Sequence, residues 1–194
     1  MKKLFPIVVV LLFAFNANSQ TKNFATIKVK IANLKVDSLV IMSYKNPNFK
    51  KVIKKIDNEG IWKDTLNVKA DKYYVSNYSN LFPNGIYLNN GYDLKISVDA
   101  NEPGKTLSFS GKGATENDFV TTFAKHEENF DYESLLQLDQ SAFDKQTEQI
   151  RLNLFATLDK KKYASDFVFY QIAYLDSFIE MKTQTYKTIL ESRK

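Results

Sequence analysis

The hydrophobic period of this chain changes once, between Gly85 and Asp118, and that change constrains the fold more than any other feature of the sequence. Up to Phe109, apolar residues recur at every second position. After Ser110-Gly111-Lys112-Gly113 they recur at every third or fourth. Strands are therefore expected first and helices second, an α+β arrangement whose seam is the glycine-rich turn.

Before the seam, Ile27, Val29 and Ile31 alternate with Lys28 and Lys30, the pattern of a half-buried strand. Ser38 to Tyr44 is apolar at both parities and predicts a strand covered on both faces. Lys51 to Ile56 and Ile61 to Val68 flank Asp57-Asn58-Glu59-Gly60, a hairpin closed by a glycine suited to the left-handed region. Shorter strands follow at Asp71 to Asn77, Ile86 to Leu88, Tyr92 to Val98 and around Leu107 and Phe109. About eight short strands at turn spacings fit a sandwich or an open barrel, and an antiparallel β-sandwich is expected over residues 20–112.

Past the seam, Thr115-Glu116-Asn117-Asp118 has the form of a capping box, and Phe119, Phe123, His126 and Phe130 follow on one helical stripe. A second such box, Ser141-Ala142-Phe143-Asp144, predicts a helix to about Lys161 with Phe143, Thr147, Ile150, Leu154 and Leu158 in its stripe. Ser165 is expected to cap a third helix, Asp166 to about Ser192, whose two apolar rows need other elements to cover them. After Met181 that helix carries only Tyr186, Ile189 and Leu190 as apolar residues. The region 113–194 is thus expected to hold about three α-helices.

The chain opens with Lys2 and Lys3 and an apolar run from Ile7 to Phe15 that is too short to cross a bilayer. Small residues Ala17 and Ser19 precede Gln20, so residues 1–19 are expected to be a cleavable signal peptide. With no cysteine to carry a lipid anchor, the mature chain is expected to be soluble and exported, in a periplasm-like space, with no membrane span. Cleavage removes two lysines from a formal charge of +5, leaving +3, an ordinary mixed surface that gives no warrant for nucleic-acid binding. The absence of cysteine excludes thiol redox chemistry, iron–sulfur clusters and cysteine-type zinc sites, and leaves the fold to its apolar core.

Three turn patterns occur in a fixed order behind the signal peptide. They are the Asp57 to Gly60 hairpin, the run Tyr87 to Ile96 with Gly91 at its turn, and Ser110-Gly111-Lys112-Gly113 with Asn117 four residues on. In that order they resemble the N-terminal, DUF4369-type region of exported TlpA-like thioredoxin-family disulfide reductases of Bacteroidetes, over roughly residues 20–190. The resemblance implies an accessory β domain followed by helices. In that family a thioredoxin fold with a W-C-x-x-C centre comes next. This sequence has no cysteine, and its only tryptophan, Trp62, lies in a predicted strand, so the family's redox activity does not carry over.

No residue pattern here builds a catalytic constellation, and no cofactor or metal is expected. His126, with Glu127, Glu128, Asp131 and Glu133 nearby, has poor ligand spacing and fits the edge of an amphipathic helix better. Asp93, Asp99, Asn101 and Glu102 do not follow a calcium-loop pattern. Ser110 to Gly113 lacks the phosphate-loop form and suits a strand-to-helix turn. Lys50, Lys51, Lys54 and Lys55 could form a patch for an anionic partner, but their interleaving with Val52, Ile53 and Ile56 fits a lysine-protected edge strand better. The tyrosines Tyr73, Tyr74, Tyr78, Tyr87 and Tyr92 are the ligand-binding candidates, since exposed rings on a sheet stack on sugars or grip peptides. The leading expectation is a non-catalytic accessory module that contacts another exported protein through its helical region; the alternative is a glycan- or peptide-binding sandwich that uses the tyrosines.

Overall fold

The computed structural model of the chain describes residues 23–56, 60–128, 132–158 and 162–192, with the side chains of 125–128 and 132 left aside. The expected signal peptide and the hairpin residues 57–59 lie outside the described residues.

Eight strands occur where the alternation predicts them: β1 (Ala25–Ala32), β2 (Ser38–Ser43), β3 (Lys50–Lys54), β4 (Ile61–Leu66), β5 (Asp71–Val75), β6 (Ile86–Leu88), β7 (Asp93–Asp99) and β8 (Ser108–Lys112). They form two four-stranded sheets, ordered β4-β1-β7-β8 and β3-β2-β5-β6. Ile27, Val29 and Ile31 of β1 and Leu94, Ile96 and Val98 of β7 bury one face of the first sheet. Leu39 and Ile41 of β2 and Tyr73 and Val75 of β5 bury one face of the second. All belong to one apolar cluster, so the two sheets share a core. The chain passes between sheets at the β3–β4 hairpin, where Lys55 bridges Trp62, the Ile56 N–H donates to the Ile61 carbonyl at 2.8 Å, and the Trp62 ring is fully buried.

The β half departs from the antiparallel expectation at one ladder. β1 and β7 run parallel, with Ile27 opposite Leu94 and Val29 opposite Ile96. Between β4 and β7 the chain leaves the first sheet, builds β5 and β6 of the second, and returns. That crossover delivers β7 in the direction of β1 rather than against it.

Two single-turn helices add to the three that the periodicity predicts. The first, α1 (Pro103–Thr106), starts on a proline at a position where a missing N–H costs little. The Thr106 hydroxyl closes it, accepting from the Asp99 N–H at 2.9 Å and donating to the Glu102 carbonyl at 2.7 Å. Next come α2 (Ala114–Glu128), the single turn α3 (Tyr132–Leu135), α4 (Gln140–Thr157) and α5 (Ser165–Ser192). The caps shift slightly from those expected. Thr115 lies inside the first turn of α2, and Asp139, not Ser141, caps α4 by accepting from the Ala142 N–H at 2.8 Å.

The helices join the sheets' own core through Phe119, Val120 and Phe123 of α2 and Phe167, Val168 and Leu175 of α5. The sparse C-terminal part of α5 is held by a second, smaller cluster of Leu135, Phe143 and Tyr186. There the Tyr186 ring stacks on Phe143 with centroids 3.6 Å apart, and its hydroxyl donates to the Leu138 carbonyl at 2.8 Å.

At the seam, Gly111 and Gly113 adopt left-handed φ values of 83° and 103°. A Cβ on Gly111 would strike the carbonyl of Asp93, and one on Gly113 the ring of Tyr92. Gly113→Ala is therefore expected to cost roughly 2–4 kcal/mol in urea unfolding, from backbone strain and overpacking together. Gly104→Ala in α1, where an added Cβ meets nothing within 4 Å, is the control and should be neutral or slightly stabilising.

Candidate functional site

β6 is the last strand of its sheet, and Asn117 of α2 occupies its outer edge. The Asn117 side-chain nitrogen donates to the Tyr87 carbonyl at 2.9 Å and to the Gly113 carbonyl at 2.8 Å, while its oxygen accepts from the Tyr87 N–H at 2.8 Å. Only 1% of the residue is exposed. A side-chain amide thus stands where a neighbouring strand's peptide would be, satisfying backbone groups that burial would otherwise leave unpaired. The amide is aimed by the seam, because the glycine turn places the first turn of α2 directly beside β6.

The opposite requirement falls on the Tyr87 ring. It packs edge-on against Phe167 with centroids 4.8 Å apart, and lies 5.3 Å from Tyr170 and 6.1 Å from Tyr92. Burial pushes the hydroxyls of Tyr87, Tyr92 and Tyr170 far above the ordinary phenol range. Nearby carboxylates add to the effect: Asp166 for Tyr87, Glu116 for Tyr92 and Asp71 for Tyr170. Glu116 stands beside the Tyr92 hydroxyl yet closes no hydrogen bond of ordinary geometry with it. These phenols stay neutral at any physiological pH and supply no base.

The five candidate tyrosines do not make an exposed platform. Tyr73, Tyr87 and Tyr92 are buried in the core, at 3%, 0% and 4% exposure. Tyr73 has its hydroxyl engaged with the Lys69 backbone, donating to its carbonyl at 3.0 Å and accepting from its N–H at 3.1 Å. Tyr78 is half-buried against the same core. Tyr74 is half-buried beside the exposed Tyr44, with ring centroids 4.8 Å apart. Stacking on a ligand needs a free ring face. Strand alternation turns Tyr73 and Tyr92 inward, and the helices cover Tyr87.

A cleft of about 550 Å³ opens instead at the end of the second sheet, between the β2–β3 and β4–β5 connections. Its floor is Asp71, which is 4% exposed. One carboxylate oxygen accepts from the Ser43 hydroxyl at 2.8 Å and the Lys45 N–H at 3.3 Å; the other accepts from the Lys72 N–H at 2.7 Å. Ser43 in turn accepts from the N–H groups of Lys45 and Asn46 at 3.2 and 2.9 Å, which fixes the start of the β2–β3 connection. The Lys45 ammonium sits 4.0 Å from Asp71 and 4.5 Å from the centroid of the Tyr170 ring. Asn46, Asn67 and Lys69 line the mouth and Phe49 one wall. Sequence reasoning passes over these residues, although a signal existed. Ser43 and Asp71 are polar residues at inward parity, in step with Leu39 and Ile41 on one strand and with Tyr73 and Val75 on the other.

The remaining candidates are dispersed. His126 lies on α2 with its side chain outside the described part, and Asp131 lies outside the described residues. Asp93 and Asp99 stand at opposite ends of β7, about 20 Å apart. Asp93 accepts from the Thr26 hydroxyl at 2.6 Å, and the Asn33 amide, 2.9 Å from both oxygens of Asp99, holds that carboxyl below its usual range. β3 is an edge strand, as its lysines suggest, and Lys51 pairs with Asp64 at 3.2 Å.

Comparison with family models, with characterised proteins and with solved structures finds no match to the chain.

Asn117→Ala removes three hydrogen bonds and strands the Tyr87 N–H and carbonyl in a buried site. Its expected cost is about 3 kcal/mol in denaturant unfolding. Asn117→Asp should be at least as damaging, because it turns two donated bonds into oxygen–oxygen contacts.

Proposed function

We propose that this chain is an exported, non-catalytic accessory module that offers a preformed surface to a partner protein, akin to the N-terminal region of TlpA-like reductases. The observation that carries the reading is the outer face of the β3-β2-β5-β6 sheet. Helices cover its β5–β6 side, where the Lys72 ammonium lies 5.0 Å from the Tyr174 ring centroid and Tyr87 packs on Phe167. Toward β3 the same face opens. Val52, 47% exposed, lies opposite Val40, and Met42 lies opposite Tyr74. Tyr44, 56% exposed, extends the strip against Tyr74. Lys50 and Lys54 flank it on β3, opposite Met42 and Ser38.

An apolar strip with an aromatic end and a basic border suits a partner with apolar anchors set among acidic residues. Among the described residues, the exposed large apolar side chains of the helices are Leu152 on α4 and Phe169 and Met181 on α5, the latter two twelve residues apart, about 18 Å along the axis and a third of a turn around it. The sheet face, rather than the helical region, is therefore the contact. The buried Asn117, Ser43 and Asp71 side chains fit this reading, since each holds backbone in place.

Photo-crosslinking residues placed at positions 44, 52 and 97 test this in the cell that makes the protein. Ser97 is exposed on the outer face of the other sheet and is the control. Positions 44 and 52 should give one discrete adduct in the exported fraction, lost when Lys50 and Lys54 are both changed to Glu. Adducts equal to those from position 97, or none, would overturn the proposal.

A further inference from the structure

We infer that the cleft over Asp71 is a binding site for a hydroxylated monoanion, an acidic sugar of the uronate class. The inference is independent of the sheet face described above, because it rests on different residues and a different chemistry.

The cleft's volume of about 550 Å³ falls within the ordinary range for small-molecule sites. Its polar groups sort by depth. Asp71 lies at the floor with three hydrogen bonds already made, and a carboxylate has about four acceptor positions. The nearest cation, the Lys45 ammonium, is at 4.0 Å and outside hydrogen-bond reach. The floor therefore retains acceptor capacity for a donor brought by a ligand, and it repels an anion placed directly on it. A hydroxyl meets both conditions.

At the mouth the sign reverses. The Lys45 side chain is 66% exposed, and among the described residues the Lys69 ammonium makes no ion pair. Two ammonium groups against one carboxylate leave the lining one positive charge in excess, which a single ligand carboxylate neutralises. The exposed side chains of Asn46 and Asn67 add amides beside the lysines at the mouth, suited to neighbouring hydroxyls. Phe49, half-buried and edge-on to Tyr73 at 5.2 Å, supplies an apolar wall for the carbon face of a ring. A bare carboxylate would use the lysines alone, and a phosphate dianion would bring excess charge toward Asp71. A uronate places a carboxylate at one end and hydroxyls at the other.

The test is an amide-resolved NMR titration of the mature chain with sodium glucuronate, and in parallel with sodium acetate and glucose. Glucuronate should shift the amides of Lys45, Asn46 and Lys69 and saturate in the millimolar range, while acetate and glucose each produce markedly smaller changes. Lys69→Gln and Asn67→Ala are both surface changes that leave the Ser43–Asp71 hydrogen bonds intact. Each should weaken glucuronate binding, the lysine variant by about tenfold. Asp71→Gly is avoided because it would also loosen the β2–β3 connection. No shift at the cleft amides, an acetate response equal to that of glucuronate, or unchanged titrations in both variants would overturn the inference.

Discussion

One buried amide, that of Asn117, ties the sheets to the helices. β6 ends its sheet, and an edge strand enclosed by helices cannot leave its peptide groups to water. Asn117 resolves this with three hydrogen bonds between 2.8 and 2.9 Å, two to Tyr87 and one to Gly113. The bonds to Tyr87 complete the edge of the second sheet. The bond to Gly113 fixes the turn by which β8 of the first sheet becomes α2. The same side chain therefore determines where the helical half begins and where the second sheet stops.

The arrangement follows from this connection. With α2 held at the β6 edge, Phe119 and Phe123 reach the sheets' core, and α5 lays Phe167 and Tyr170 over the Tyr87 ring. The start of β5 uses a related device, in which Asp71 and Ser43 hold the β2–β3 connection by its backbone N–H groups. Because the helices cover only the β5–β6 side, the β2–β3 side of the same sheet is left open around Val52 and Tyr44. The cleft over Asp71 lies beside it. The open sheet face is thus a product of how the polar anchors distribute the helices, whereas the cleft is lined by strand and loop residues of the β half alone.

The strands were legible because alternation survives wherever one face is buried, and all eight occur near their expected positions. The strand partners were not, since period two is the same for a parallel and an antiparallel neighbour; hence the parallel β1–β7 ladder departs from the antiparallel expectation. Tyr73 and Tyr92 share parity with core residues such as Val75 and Leu94, so their burial was readable from the alternation. Tyr87 was not readable, because its covering comes from α5, far along the chain. Asn117 sits in the turn pattern that carries the family resemblance, yet nothing local distinguishes an amide serving a distant strand edge from a helix-capping residue. The anchoring of α5 through Tyr186 was equally hidden, since one stacked pair with Phe143 does what a longer apolar stripe would do.

Native-state hydrogen exchange tests the central claim most directly, namely that the two halves form one cooperative body joined at the Asn117–Tyr87 contact. In low urea, the amides of Tyr87 in β6 and Gln171 in α5 should open with the same free energy as Val29 in the middle of β1. If Gln171 and Tyr87 instead open together at a free energy lower than that of Val29 by roughly 3 kcal/mol or more, the helical half is a separate unit and the account is contradicted.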